Sequence, residues 1–290
     1  MSIPMDAACY QCHMRRNLET AREYGDEKTV TAFAKDLMRL YLSLPETNSS
    51  PEMAPQVNAL LKQYFGLEAD RMKAEKEASN AFVMARLDKI REMIASAEDP
   101  LYGALQFAVL GNYLDFAALQ GKVSFQQLDE MLEQALQLEL DRACYGQLCD
   151  DLKQGKQVLI LTDNAGEIAI DRLLAETLEK IYPHLQITFC VRGGPIHNDA
   201  TREDAREVGI PFPVIDSGAA IGGTAIHLLS EEARQALESA DVVIAKGMGN
   251  TETLYGCGYN VYYAFLVKCA RLSSYFDKPL MTHMLVRDSC

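Results

Sequence analysis

Apolar residues follow two different patterns in the two halves of the chain. Between about residues 14 and 150 they recur three and four positions apart, notably over 29–44, 57–67, 70–96 and 128–140. That spacing places them along one side of an α-helix. From Gly155 onward, short apolar runs alternate with stretches of helical spacing. The pattern predicts an all-helical N-terminal region, residues 1–150, followed by an α/β domain, residues 151–290.

Five short apolar runs in the second half predict β-strands. They cover residues 157–162, 186–191, 213–216, 241–245 and 262–267, and a final apolar run covers 279–286. Helical spacing between them predicts helices near 167–181, 228–240 and 269–276, and a charged helix is predicted to begin at Asp199. Strands that alternate with helices in this way pair in parallel, with helices on both faces of the sheet. The predicted fold class is α/β, with a mainly parallel sheet.

Three of the predicted strands are followed by loops of similar chemistry. The strands end near Thr162, Val191 and Ala245, and each releases a loop that combines glycine with acidic, amide or basic residues. In a parallel sheet these loops lie at the same edge, which is where ligands bind. The recurrence favours one shared site over three independent structural roles.

The first of these loops offers ligands for a hard cation. Asp163 and Asn164 supply carboxylate and amide oxygens, which divalent cations such as Mg²⁺ and Mn²⁺ prefer. Gly166 allows close approach of the backbone to a ligand, and the helix that begins near Glu167 directs amides toward it. Asp and Asn are also common helix N-caps. The loop by itself does not decide between capping and metal binding.

Composition narrows the classes of partner. The chain of 290 residues is 48% hydrophobic and carries a formal net charge of −13. An acidic protein is a poor binder of nucleic acids and anionic membranes. The N-terminus lacks the charged and apolar regions of a signal peptide, and no apolar run is long enough to span a bilayer. We therefore expect a cytoplasmic location and mostly reduced cysteines.

Cys9 and Cys12 form a C-x-x-C-H pattern with His13. The pattern is formally a haem attachment site, but covalent haem attachment normally requires export. Zinc or iron–sulfur binding normally requires a second pair, and Cys144 and Cys149 are separated by four residues instead of two. We expect Cys9 and Cys12 to be half-buried thiols near the start of a helix.

At the three loops the sequence resembles the metal-dependent damage-control phosphatases, first catalogued as domain-of-unknown-function family eighty-nine. The matching segments are 162–167, 192–201 and 246–254. The cysteine pair at 9 and 12 and the segment 111–115 look like the short prokaryotic branch of that family. The resemblance covers essentially the whole chain. It implies a helical N-terminal region packed on an α/β domain.

The resemblance also implies a divalent metal held by Asp163, Asn164 and Asp199, with phosphate bound near Lys246. These ligands contain no sulfur, so manganese, cobalt, nickel or magnesium is expected rather than thiolate-bound zinc. The nucleophile is either a water molecule on the cation or the carboxylate of Asp163. We favour the water, since a carboxylate engaged by a metal is a weaker nucleophile.

The predicted activity is hydrolysis of small phosphate monoesters, such as sugar phosphates or damaged phosphorylated metabolites. Asp163, Lys246 and Glu167 are the catalytic candidates. Substrate contacts are predicted for polar residues near the loops and in the apolar helix around residue 110: Asn112, Asp115, Asn198, Asn250 and Glu252. Asn112 and Asp115 could equally bond to a neighbouring helix end, and Asn250 and Glu252 could cap a following helix.

Two other functions compete with hydrolysis. An S-adenosylmethionine-dependent carboxyl methyltransferase would require a glycine-rich first loop and an acidic end to the second strand. The first loop has one glycine, and the second strand ends in Val191 and Arg192. A non-catalytic metal or redox protein that uses Cys9 and Cys12 would leave the three loops unexplained.

Overall fold

The structure is a computed structural model that describes residues 2–114 and 125–288. Within these residues the chain forms thirteen α-helices and six β-strands. The helices are α1 (Ala7–Tyr24), α2 (Glu27–Ser43), α3 (Ala54–Phe65), α4 (Lys73–Met84), α5 (Leu87–Ser96), α6 (Pro100–Leu110), α7 (Phe125–Gln134), α8 (Arg142–Gln154), α9 (Glu167–Ile181), α10 (Arg202–Glu207), α11 (Glu231–Ser239), α12 (Gly247–Leu254) and α13 (Ala270–Phe276). The strands are β1 (Gln157–Leu161), β2 (Gln186–Val191), β3 (Val214–Asp216), β4 (Val242–Lys246), β5 (Val261–Leu266) and β6 (His283–Arg287).

The six strands form one sheet in the order β3-β2-β1-β4-β5-β6. Strands β1 to β5 run parallel, and β6 pairs antiparallel with β5. The register places Leu161 opposite Cys190 on one side and Ala245 on the other. The carboxyl ends of β1, β2 and β4 are therefore level, and their loops leave from one edge. The predicted mainly parallel α/β sheet is confirmed.

Helices cover both faces of the sheet, as predicted. On β1, Val158 and Ile160 pack into the core formed with α6, α8 and α9. The alternate residues Leu159 and Leu161 pack into the opposite core, with α11, α12 and α13. A strand buried on both faces is apolar at every position, which explains its continuous apolar run. Burial of each such side chain stabilises the fold by about 1.5–3 kcal/mol.

The N-terminal helices fall into two groups. Helices α4, α5, α6 and α8 share the core on one face of the sheet. Helices α1, α2 and α3 form a separate core around Phe33 and Leu37. The segment before α1 lies on α12, where the amide of Ile3 donates to the carbonyl of Glu252 at 2.8 Å. The boundary predicted between residues 150 and 151 lies inside α8.

Two helices differ from the sequence expectation. The segment after β4 is glycine-rich and was predicted as a loop, but α12 begins at Gly247, which has a φ of +79°. The charged helix predicted to begin at Asp199 begins at Arg202, because Thr201 and Asp204 form a capping box there. Among the described residues, none of the helices has the length and apolar character needed to cross a bilayer.

Candidate active site

The loops after β1 and β2 lie against each other at the sheet edge. Asn164 and Asp199 form an isolated β-bridge. The amide of Ala200 donates to the carbonyl of Asp163 at 2.7 Å, and the amide of Ala165 donates to that of Asn198 at 2.9 Å. These backbone bonds hold the side chains predicted to bind metal on one wall. The wall borders a cavity of about 140 Å³.

Asp163 is buried, and both of its oxygens accept hydrogen bonds. Oδ1 accepts from Nη2 of Arg192 at 3.1 Å. Oδ2 accepts from Nδ2 of Asn112 at 2.8 Å and Nδ2 of Asn164 at 2.9 Å. A Cβ atom on Gly247 would lie 1.9 Å from Oδ2, so only glycine fits opposite this carboxylate.

Arg192 links two of the loops and was not recognised as a site residue from the sequence. Its guanidinium is buried and donates from Nε to Asp199 Oδ2 at 2.6 Å. Nη1 donates to Oδ1 of Asn250 at 2.9 Å. Burial, together with the nearby Asp199 and Glu167, raises the pKa of Asp163 well above its usual value, and Arg192 opposes this rise. The signal that could have found Arg192 is its place at the carboxyl end of β2.

Lys246 lies beneath the cavity rather than in its wall. It is fully buried and donates to Glu167 Oε1 at 2.5 Å, Asp171 Oδ1 at 2.8 Å and the carbonyl of Ala108 at 2.7 Å. Lys246 has the same strand parity as Val242 and Ile244, whose side chains point into the core of α6 and α9. The ammonium group is therefore turned away from the place predicted for phosphate, and its three protons are already engaged.

Glu167 also lies in this lower layer. Its Oε2 accepts from Nδ2 of Asn164 at 2.9 Å and Nδ2 of Asn112 at 3.2 Å. Because the Asn164 nitrogen is held by Asp163 and Glu167, its oxygen faces away from these two carboxylates. Among the described residues this oxygen accepts no hydrogen bond. Glu167 and Lys246 thus orient the cavity wall from below.

Asn112 was predicted to contact substrate, and the structure places it in the buried network instead. Besides its bonds to Asp163 and Glu167, its Oδ1 accepts from the amide of Leu266 at 3.3 Å. Its side-chain amide is therefore engaged on both sides, which leaves no group for a ligand. The predicted contact at Asp115 lies outside the described residues.

The other predicted substrate residues divide between cavity and core. Asn198 and Glu252 line the cavity. Asn250 is fully buried and donates to the carbonyls of Lys246 at 2.6 Å and Thr162 at 3.1 Å. Asn250 is therefore a structural tie rather than a ligand contact, because α12 begins at Gly247 and turns this residue inward.

Basic residues that the sequence analysis did not select also line the cavity. Lys268 follows β5 at the same sheet edge, and its Nζ donates to the carbonyl of Asn112 at 2.5 Å. The strand-end rule applied to β5 would have found it. His13 and Arg16 reach the cavity from α1, and His197 reaches it from the loop after β2. The approach of α1 is a tertiary contact, so no local signal marks its residues.

Two cavity residues have environments that shift their protonation. His13 Nε2 hydrogen-bonds the hydroxyl of Ser50 at 2.7 Å. Burial, with the adjacent Arg16, lowers the pKa of His13 to about 4, so the imidazole is neutral at physiological pH. Burial raises the pKa of Glu252 to about 7, although Arg271 opposes the rise. Glu252 can therefore exchange a proton near neutral pH.

The thiols of Cys9, Cys12 and Cys269 line a neighbouring cavity of about 400 Å³, which also borders Glu252. Cys9 is buried and Cys12 is half-buried, near the start of α1. Burial raises the pKa of Cys9 to about 11 and that of Cys269 to about 12, so both thiols are protonated at neutral pH. In residues 2–114 and 125–288, no group of three or more His, Cys, Asp or Glu side chains is arranged to hold a metal.

Comparison with known proteins gives one consistent match. Residues 5–283 match the damage-control phosphatase ARMT1-like domain. An uncharacterized protein of Methanocaldococcus jannaschii is 32% identical over 279 residues, covering 92% of this chain and 90% of that protein. A damage-control phosphatase of Archaeoglobus fulgidus is 30% identical over 254 residues, covering 85% of each. The crystal structure of a DUF89 family protein from Pyrococcus horikoshii has the same fold, with a TM-score of 0.84, 24% identity and 99% coverage of both chains.

Proposed function

The chain belongs to the damage-control phosphatase ARMT1-like family, and on that basis we propose that it hydrolyses small phosphate monoesters with the help of a divalent cation. Relatives named damage-control phosphatases support a phosphatase role. The observation that carries the finer proposal is the set Asp163, Asn164 and Asp199 on the wall of a cavity that is also lined by Lys268 and Arg16. Sugar phosphates and damaged phosphometabolites are the proposed substrates.

The donor set fits an oxygen-preferring divalent cation. Asp163, Asn164 and Asp199 would hold it, since two carboxylates and one amide oxygen suit manganese, cobalt, nickel or magnesium. Mutual repulsion of Asp163 and Asp199 contributes to the raised pKa of Asp163, and positive charge between them would relieve it. When bound, the cation would neutralise phosphate charge and polarise the phosphorus–oxygen bonds.

The residues around the cavity also suit a phosphate group. Lys268 and Arg16 supply positive charge, and Met248 and Gly249 bring the first turn of α12 to the cavity. A helix N-terminus presents unpaired amides, which favour an anion. Phosphate held by these groups would have its charge spread over several donors, as phosphoryl transfer requires.

We infer that water, rather than Asp163, is the nucleophile. Both oxygens of Asp163 already accept from Arg192, Asn112 and Asn164. Attack on phosphorus would break these bonds in a buried, water-poor position, which is costly. A water molecule held at the cavity wall needs no such rearrangement. Asp163 therefore serves as an anchor and not as the attacking group.

Glu252 is the proposed donor of a proton to the leaving oxygen. It lines the small cavity together with Asp163 and Asp199, so it can reach the leaving oxygen of a phosphate held there. With its pKa raised to about 7 by burial, it is half protonated near neutral pH. An acid with such a pKa is well matched to an alkoxide leaving group.

Phosphate release from a broad panel of phosphorylated metabolites tests the proposal. We expect release with added manganese, cobalt, nickel or magnesium, and none after chelation. Restoration of the cation after chelation is the control for irreversible loss of structure. Absence of release with every cation and substrate, together with saturable binding of S-adenosylmethionine, would replace hydrolysis by the methyltransferase alternative.

A further inference from the structure

A third cavity, of about 560 Å³, adjoins the candidate active site between α1 and the turn before α4. His13, Arg16 and His197 line both this cavity and the small cavity that contains Asp163. A ligand can therefore occupy both at once. Arg71, from the turn before α4, lines the cavity of about 560 Å³ but not the small cavity.

Arg71 is half-buried, and within residues 2–114 and 125–288 its guanidinium has no hydrogen-bond or ion-pair partner. Burial lowers the pKa of Arg71; the nearby Tyr24 opposes this change, and Arg16 adds to it. Arg16 and Arg71 line the same cavity, so it holds two guanidinium groups. A half-buried guanidinium without a partner is costly, and an anion bound beside Arg71 would remove that cost.

The surrounding charges make this cluster unusual. The protein as a whole carries a net charge of −13, which repels small anions at a distance. Glu19 and Glu23 lie on the same cavity, and Glu19 is paired with Arg15 at 3.7 Å. His197 has a φ of +44°, a strained conformation that such sites often maintain for function. Arginine is also the side chain best shaped to bind carboxylate or phosphate through two parallel bonds.

From this geometry we infer that the cavity bounded by Arg16, Arg71 and His197 binds a second anionic group of the substrate. This inference rests on the proposed phosphatase function. It narrows the substrate class to phosphate monoesters that also carry a carboxylate or a second phosphate. The reacting phosphate lies at Asp163, and the second group lies at Arg71.

Two matched pairs of substrates test the inference. Phosphoglycerate differs from glycerol phosphate, and phosphogluconate from sorbitol phosphate, by a carboxylate in place of a hydroxymethyl group, over a short and a long carbon chain. We expect the wild type to have a higher kcat/KM for the acidic member of at least one pair. Arg71→Gln should reduce that ratio by about 10-fold or more, the usual effect of losing a hydrogen bond to a charged group. Arg71→Lys should retain part of the preference.

Arg22→Gln, at an exposed position on α1, is the matched control and should leave the ratio unchanged. Calorimetric binding of phosphogluconate to each variant provides a readout without turnover. Ratios and affinities equal to wild type in Arg71→Gln would overturn the inference. If no substrate is hydrolysed but phosphogluconate binding still depends on Arg71, the phosphatase proposal fails and the anion site remains.

A free anion is the alternative occupant, and added sulfate distinguishes it. If sulfate accelerates sorbitol phosphate hydrolysis by the wild type but not by Arg71→Gln, the cavity takes a separate anion. That result would overturn the assignment to the substrate. Competition between sulfate and phosphogluconate, with no acceleration, supports it.

Discussion

Asp199 is the carboxylate that the second loop contributes to the cavity, and it is tied to Arg192 by a 2.6 Å bond. We expect Asp199→Ala to lower kcat/KM by at least about 100-fold, since loss of even an outer partner of a metal ligand can cost that much. Metal content and phosphate release are the measurements. Asp150→Ala, which changes an exposed carboxylate, is the control. Wild-type turnover and metal content in Asp199→Ala would contradict the ligand assignment.

If Glu252 donates a proton to the leaving oxygen, its effect on turnover should depend on the leaving group. Its carboxyl is protonated below its pKa of about 7, so turnover of an alkyl phosphate should fall as the pH rises through that value. Glu252→Gln should lower kcat for an alkyl phosphate by about 100-fold. The loss should be much smaller for p-nitrophenyl phosphate, whose leaving group needs no proton.

Glu238→Gln, at an exposed site on α11, is the control for the charge change at Glu252. An equal loss of turnover with both leaving groups would show that Glu252 binds the phosphate or shapes the cavity instead of donating a proton.

Among the secondary-structure elements, strand β4 determines which groups Lys246 contacts, because it directs this side chain into the core. The ammonium group forms ion pairs with two fully buried carboxylates, Glu167 and Asp171. We expect Lys246→Met to reduce the free energy of unfolding by about 3–5 kcal/mol, because both carboxylates lose their partner in a dry environment. Chemical denaturation measures this loss. Adding Asp171→Asn to Lys246→Met should restore part of the stability.

The outcome for Lys246 separates its two possible roles. A Lys246→Met variant with wild-type stability but no turnover would support the role predicted from the sequence, in which Lys246 contacts the phosphate. Loss of stability, with proportional loss of active protein, would establish the buried ion cluster as its main role.

Strand β4 shows both what its sequence predicts and what it does not. Strand ends could be placed from apolar runs, and the parallel arrangement then brought Asp163, Asn164 and Asp199 to one edge. The direction of a side chain at a strand end depends on strand parity and on which face is packed. In β4, these two conditions place the side chain of Lys246 below the cavity. The helical start at Gly247 was not predicted because Gly247 and Gly249 are typical of loops. Here Gly247 allows close contact with Asp163, and Gly249 allows close contact with Gly222.

At the scale of the whole molecule, the site is completed by residues distant in sequence. His13 and Arg16 reach it because α1 packs near α13 and its preceding segment lies on α12. Cys9 and Cys12, although far from the three loops in sequence, line the adjoining cavity. Such proximity follows from packing of helices on the sheet edge and leaves no periodic signal. The fold class could therefore be predicted from the sequence, whereas half of the cavity wall could not.

A divalent cation should stabilise the whole fold, because its proposed ligands come from separate loops of the sheet edge. In the folded state, the negative charges of Asp163 and Asp199 repel each other. A cation that binds only the folded state removes this repulsion and therefore stabilises the folded state relative to the unfolded state. At a cation concentration of about 100 times Kd, the gain is about 2.7 kcal/mol. For a chain of this size, each kcal/mol raises Tm by about 2–4 °C. Thermal unfolding with manganese, with and without chelator, should therefore show a clear rise in Tm that Asp199→Ala abolishes and Asp150→Ala retains. An equal rise in all three proteins would mean that the cation binds elsewhere on the acidic surface.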